Sequence, residues 1–223
     1  MSEHGMQSES VENFLKAVYS LQQGNDRVST NTLSEVLNRT APSVTDMAQR
    51  LESAGLIDYQ KYRGVILTVN GREIALRIIR RHRLIELYLT RELGYALHEV
   101  HDEAERLEHA VSERFVEALS HKLGEPQIDP HGDPIPAPDG TVIQRDLVLL
   151  TDLHPGVTGQ IARIKTSDPQ MIRHMLERGL TLEAHIEMIS CDPFEGPVRV
   201  LTDGAERVIG FTVASCVYVE TDP

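Results

Sequence analysis

The sequence predicts an α+β chain in three parts: an N-terminal winged helix-turn-helix, a helical middle segment and a C-terminal SH3-like β-barrel. Two short amphipathic helices that run into a pair of short strands suggest the first part. A long apolar helical stretch with His and Glu along a face suggests the second. The third follows from short alternating strands that recur after a break rich in proline and glycine. The parts fall at residues 1–73, 74–123 and 142–223, with a linker at 124–141.

Residues 9–22, ESVENFLKAVYSLQ, place Val11, Phe14, Leu15, Val18 and Leu21 at helical spacing, with Glu9, Asn13 and Lys16 opposite. After the turn GNDR, the run VSTNTLSEVLN predicts a second helix with Ser or Thr caps and an apolar side at Leu33, Val36 and Leu37. A third helix, SVTDMAQRLESAGL, has Pro42 in its first turn after Thr40 or Ala41 and stops at Gly55. Two short helices around a tight turn, the latter opening with small polar side chains, have the arithmetic of a helix-turn-helix. LIDYQKYRGVILTVNGRE adds two strands around Arg63 and Gly64, which is a wing.

Charge supports the same reading. The net charge of −12 would argue against nucleic acid if it were evenly spread. It is not: from Arg27 to Arg83 ten Lys/Arg face five acids, a net +5, while the rest of the chain stands at −17. Pro42, Ser43, Thr45, Asp46 and Gln49 sit on the leading part of the recognition helix as candidates to meet base edges. Arg39, Arg50, Lys61 and Arg63 are candidates for phosphate.

From Gly71 the pattern is helical, and Ile74, Ile78, Leu84, Leu87 and Leu89 give a helix buried on more than one side, as dimerisation would require. In VHDEAERLEHAVSERF, His101, Glu105 and Glu108 follow i, i+4, i+7 spacing and His109 adjoins them, so two imidazoles and two carboxylates share one face of a predicted helix. His82 and Glu86 in RRHRLIELYL repeat the i, i+4 logic. Imidazole with carboxylate suits Mn, Fe or Zn. One such pair is ordinarily just an exposed helix face, but two about twenty residues apart, without an HExxH pattern, favour metal. The remaining histidines, His4, His98, His121, His131, His154, His174 and His185, have no convergent spacing and read as surface or core residues.

GEPQIDPHGDPIPAPDG has five Pro and three Gly in 17 residues, so it cannot hold a helix and marks the linker. Beyond it, DPQMIRHMLERGL is a short helix among the strands TLEAHIEMISC, GPVRVLTDG, ERVIGFTV and CVYVE. No apolar run is long enough to span a membrane, and the polar, acidic start shows no secretory signal, so a cytoplasmic address is expected. Cys191 and Cys216 match no metal spacing and read as reduced structural thiols.

The order winged helix, VHDEAERLEH, GDPIP and small barrel, with RRHRLIE on the helix before, resembles the diphtheria toxin repressor family of metal-dependent transcription regulators over essentially the whole chain. That resemblance implies a homodimer that binds a double-stranded DNA operator and represses when metal is bound. It implies Glu105, Glu108 and His109 as ligands of the activating ion, joined from the first helix by Asn13. Glu105 stands where iron-type members have Cys and manganese-type members Glu, which points to Mn(II) first and Fe(II) second. Zn, Co, Ni or Cd can occupy such sites in vitro. Control of manganese uptake is the implied role, with iron acquisition the alternative.

The first helix departs from the pattern. Asn13 replaces an Asp or Met ligand, with Glu9 and Glu12 flanking it, and Lys16 replaces a manganese-type Glu and opposes a second cation there. An ancillary site is implied at His82, Glu86 and His101, with Asp168 and Gln170 added by the C-terminal part. Two other classes remain open: a dinuclear metalloenzyme, for which no nucleophile or oxyanion device is evident, and a sensor of an organic ligand.

Overall fold

The computed structural model describes residues 9–22, 24 and 26–222; the polar start with His4, and Asn25 of the first turn, lie outside them. The chain forms two compact units, one reaching to Arg81 with Pro136–Thr141, the other His82–Ile135 with the chain from Val142.

The first unit holds α1 (Glu9–Leu21), α2 (Thr30–Val36), α3 (Ala41–Ser53), the hairpin β1 (Ile57–Gln60) and β2 (Gly64–Leu67), and the start of α4 (Val69–Leu93). Phe14, Leu15 and Val18 of α1 share one core with Leu33, Val44, Ala48, Leu51 and Val65. Side chains cap both helices of the helix-turn-helix. Ser29 Oγ accepts from Thr32 N–H at 3.0 Å, and Thr40 Oγ1 from Ser43 N–H at 3.4 Å. Val36, expected on the apolar side of α2, is 57% exposed. In a seven-residue helix only the Leu33 stripe reaches the core, and Val36 lies to one side of it.

The wing is antiparallel, pairing Ile57 with Leu67 and Gln60 with Gly64. Val28 bridges to Val65 through N–H···O bonds of 2.8 and 2.9 Å, which ties the wing to the helices. Gly64, at φ +100°, is required there, because a Cβ would collide with the Val28 carbonyl oxygen. Arg27 pairs with Asp58, so one cation of the basic block is committed within the unit. α4 starts at Val69, and a boundary at 73–74 therefore falls inside a continuous helix.

In the second unit the rest of α4 packs with α5 (Val100–Leu107) and α6 (Glu113–Lys122) around Leu84, Leu87, Val100, Ala104, Val116 and Leu119. The single helix expected through VHDEAERLEHAVSERF is broken. Glu108 is the C-cap of α5, His109 lies in the following turn, and Ser112 restarts the chain as N-cap of α6, accepting from Phe115 N–H at 3.3 Å. The 124–141 segment holds no helix, yet it is not a loose tether: Asp129, His131 and Ile135 are buried. Gly132, at φ +88°, sits so close to the Ala162 carbonyl that no Cβ fits, and Ile164 N–H donates to the His131 carbonyl at 2.8 Å. Asp133 pairs with Arg163 and Arg83.

The C-terminal part is SH3-like. It comprises β3 (Val148–Leu149), β4 (Thr158–Ile164), α7 (Pro169–Leu176), β5 (His185–Cys191), β6 (Val198–Thr202), β7 (Ala205–Ile209), α8 (Phe211–Ala214) and β8 (Val217–Thr221). The sheet order β3-β8-β4-β5-β6-β7 is antiparallel with two open ends, so hydrogen bonds do not close the barrel. The strand expected through ERVIGFTV ends at Ile209, and Phe211–Ala214 turn into α8 after Gly210. Among the described residues no helix is long and apolar enough to cross a membrane.

Candidate metal centre

His82 projects from α4 one turn before Glu86, and α5 brings His101 opposite both. His82 Nε2 lies 3.0 Å from Glu86 Oε1 and 3.1 Å from His101 Nδ1, and His101 Nδ1 lies 3.4 Å from the same Glu86 oxygen. On the other side of the ring, His82 Nδ1 is 2.6 Å from Glu108 Oε2. Glu105 and Glu108 each bring an oxygen within 4.8 Å of the other and of a His82 nitrogen, and His109 Nε2 lies 3.3 Å from Glu108 Oε1. His82, expected in one ligand set, thus belongs to two: His82–Glu86–His101 and His82–Glu105–Glu108. Helical spacing names the face a side chain points from, and it is silent on which nitrogen faces which neighbour.

The groups at the centre of the cluster are out of water, while His101, Glu105 and His109 are half-buried. Glu108 is fully buried, Glu86 is 2% exposed and His82 6%. Burial alone would raise the Glu86 carboxyl. The imidazoles of His82, His101 and His131 outweigh it and hold the group well below the usual carboxylate range.

His131 was missed by sequence reasoning. It is buried, its Nε2 lies 3.7 Å from Glu86 Oε1, and its Nδ1 has no hydrogen-bond partner among the described residues. Burial lowers its basicity, against the pull of Glu86 and Asp133. Asp129, whose Oδ1 accepts from the N–H groups of His131 and Asp133, is pushed up to about 8 by burial and by the charges of Asp133 and Glu86, against Arg83. The available signal was DPHGDPIP itself, an imidazole between two acids in a segment too rich in proline to be helix.

Buried carboxylates, one held low by imidazoles and one raised by its acidic neighbours, with an imidazole nitrogen that has no partner among the described residues beside them, are a donor set that a divalent cation fits. The other expected ligands lie outside the two groups. Asp168 and Gln170 are exposed at the start of α7, where Asp168 is the N-cap and its Oδ1 accepts from Gln170 N–H at 2.8 Å and Met171 N–H at 3.3 Å. In the first unit, Asn13 is half-buried on α1 and lines a cleft of about 300 Å³ with Glu9, Arg39 and Ser43. Glu12 is buried, 3.7 Å from Arg81.

On the recognition helix, Pro42, Ser43, Asp46, Gln49 and Arg50 are exposed, as are Arg39 before it and Lys61 and Arg63 on the wing. Thr45 is half-buried and donates to the Ala41 carbonyl at 2.9 Å, which leaves its methyl group and acceptor capacity for other contacts. Tyr62, 94% exposed, forms the wing tip.

Known families match the chain in the order of its parts. The N-terminal DNA binding domain of iron dependent repressors matches residues 6–65, their metal binding and dimerisation domain residues 68–137, and the FeoA domain residues 148–221. The diphtheria toxin repressor of Corynebacterium efficiens is 33% identical over 223 residues, covering 95% of this chain and 95% of that protein. The chain belongs to the diphtheria toxin repressor family. The iron-dependent repressor IdeR of Mycobacterium leprae is 30% identical over 225 residues, covering 95% of this chain and 97% of its own length. A solved manganese-dependent transcriptional repressor in complex with manganese superposes with a TM-score of 0.89 at 39% identity, over 95% of this chain and all of that one. As a member of the diphtheria toxin repressor family, the chain is a metal-dependent, DNA-binding repressor and not an enzyme, which removes the metalloenzyme alternative.

Proposed function

We propose that the chain represses genes of manganese homeostasis, above all manganese uptake, as a homodimer in the cytoplasm that Mn(II) switches onto its operator. The observation that carries this reading is the donor set: Glu105 and Glu108 oxygens with the His109 and His82 imidazoles, and no sulfur. Hard oxygen donors with imidazole favour manganese over softer ions. Asn13 completes the first set by resemblance to the family, and Asp168 and Gln170 are proposed on the same basis for the second. The imidazole-rich group of His82, Glu86, His101 and His131 favours a second reading, Fe(II) as effector and iron acquisition as target.

When bound, the ion supplies positive charge among carboxylates that otherwise repel. Glu108 and His109 hold one another's orientation, and Ala104 and Val100 beneath them fix α5 against α4. In this division, residues 1–73 read DNA, 74–123 hold metal and the dimer contact, 124–141 connect, and 142–223 form the SH3-like part. Leu93, Tyr95 and Phe115, apolar and exposed in the helical part, suit burial against a second copy. Base edges are read by Pro42, Ser43, Thr45, Asp46 and Gln49 and phosphates by Arg39, Arg50, Lys61 and Arg63, from two recognition helices a whole number of DNA turns apart. Coupling between ion and DNA of about 1–3 kcal/mol is expected.

A mobility-shift titration with Mn(II), Fe(II), Zn(II) and a chelator, on wild type and Glu105→Ala, tests the proposal. Retention that rises first with Mn(II) and weakens in the variant supports it. A shift indifferent to every ion rejects it.

A further inference from the structure

Among the described residues two large aromatic rings stand almost wholly in solvent: Tyr62 at the wing tip, 94% exposed, and Phe194 in the SH3-like part, 100% exposed. Both lie on left-handed backbone, at φ +67° and +59°, a conformation that asparagine and glycine adopt more readily than a residue with a bulky ring. Neither the exposure nor the strain helps the fold, so each ring suits contact with something else. Their neighbours separate them. Phe194 has Asp192 and Glu195 beside it in sequence, acids that a phosphate backbone repels, whereas Tyr62 lies between Lys61 and Arg63. Lys61 Nζ stands 5.1 Å from the centre of the Tyr62 ring. The tip is also held in place. Arg63 N–H donates to the Gln60 carbonyl at 2.9 Å and closes the loop, Tyr59 N–H donates to the Glu52 carboxylate of α3 at 3.3 Å, and Val28 and Val65 bond to each other through both backbone groups. A basic, fixed hairpin beside a helix that enters the major groove meets the minor groove next to it.

We propose that Tyr62 is a specificity-determining residue: its ring enters the minor groove beside the base pairs that α3 reads and favours A·T there, while Lys61 and Arg63 neutralise phosphates that border the groove. The inference extends the reading of DNA by α3 and rests on it. Charge complementarity and continuity with the helix-turn-helix, whose core the wing shares, choose DNA as the partner. In the minor groove A·T and T·A pairs show only acceptors, to which the Tyr62 hydroxyl can donate, and G·C adds the N2 amino group of guanine. That group occupies the floor where the edge of a ring would rest. A helix in the major groove does not sense it, because it projects from the opposite edge of the base pair.

The test is selection from a random-sequence duplex library by the Mn(II)-loaded full-length protein, wild type and Tyr62→Ala, followed by fluorescence anisotropy on the selected duplexes. Wild type is expected to enrich A·T beside the sequence read by α3, and the variant to enrich that central sequence alone. Changing the flanking A·T pairs of the selected duplex to G·C should weaken wild type about tenfold, within the usual cost of an unfavourable base pair. Inosine·C at the same positions keeps the major groove of G·C, lacks the N2 amino group and should restore the affinity. Tyr62→Ala should bind all three flanks alike, with the salt slope of wild type because no charge is removed. Equal wild-type binding to the three flanks overturns the proposal, as does a loss that inosine leaves in place or a preference that Tyr62→Ala retains. The variant should melt with wild type, since the ring is exposed. A lower melting temperature means that the ring serves the fold, and overturns the proposal too. Enrichment of a central sequence without the flank defeats the role of Tyr62 alone, whereas no enrichment by wild type defeats the reading by α3 as well.

Discussion

On α3, Pro42, Ser43, Asp46, Gln49 and Arg50 stand in solvent, while on α4 and α5 His82, Glu86 and Glu108 are buried and lean on one another at 2.6–3.0 Å. Exposed side chains that share no partners contribute separately, so their substitutions add. Members of one buried network do not, because removing one leaves the next without its partner. Under the proposed function, the repressor joins a reading face that can vary residue by residue to a switch that can change only as a group.

The largest effect is expected inside the switch. Glu108→Ala removes a buried carboxylate from beside the His82 and His109 rings, and loss of one partner of a buried hydrogen bond costs about 1–3 kcal/mol. Thermal melting of the ion-free protein should show that loss, together with Mn(II) affinity lower by at least about a hundredfold. If Glu108→Ala and His82→Ala add as independent changes in a double-mutant cycle, the contrast between the two regions breaks.

On the reading face the expected effects are smaller and additive. Arg39→Ala and Arg50→Ala should each lower operator affinity in the ion-loaded protein and reduce the slope of log affinity against log salt by about 0.9. Gln49→Ala should instead relax preference at one base pair by about 1–3 kcal/mol, with the slope unchanged. Fluorescence anisotropy across a salt series separates the two kinds, and a pair of arginines whose effects fail to add would place them in one network after all.

The same contrast explains what the sequence disclosed. The helix-turn-helix was legible because it is local: Ser or Thr caps, Pro42 in a first turn and Leu33 on an apolar side are all properties of short windows. The pairing of His82 with Glu86 was legible for the same reason, as an i, i+4 spacing. Their partners were not. His131 lies 3.7 Å from Glu86 in a loop whose Gly132 packs against Ala162 of β4, and His82 stands in two groups because α5 packs on α4. Both depend on chain that closes over a long separation, which no local period records.

A pH series sharpens the difference further. Burial with Asp133 and Glu86 pushes Asp129 up to about 8, so in the ion-free protein the fold holds a proton that the unfolded chain releases near pH 4. An acid raised in this way contributes stability that is full below its unfolded pKa and is lost as pH rises through the folded one. The share of the melting temperature of the ion-free protein that Asp129 supplies, read as the difference between wild type and Asp129→Asn, should therefore fall across roughly pH 4 to 8. Substitutions on α3 should leave its slope alone.

The smallest effect concerns Asp168, which stands between the two kinds of region: it is exposed like the α3 residues, yet it is proposed as a ligand by resemblance to the family. Its Oδ1 is occupied as the N-cap of α7, accepting from Gln170 and Met171 N–H. Asn caps a helix about as well as Asp, so Asp168→Asn should cost only a few tenths of a kcal/mol, whereas Asp168→Ala should cost about 1 kcal/mol through the lost cap. Charge on the metal separates the roles where stability cannot. If Asp168 ligates, the Asp168→Asn change weakens the second ion while α7 stays intact; if it only caps, both variants bind that ion as wild type does, and the carboxylate belongs with the exposed, independent residues of the reading face.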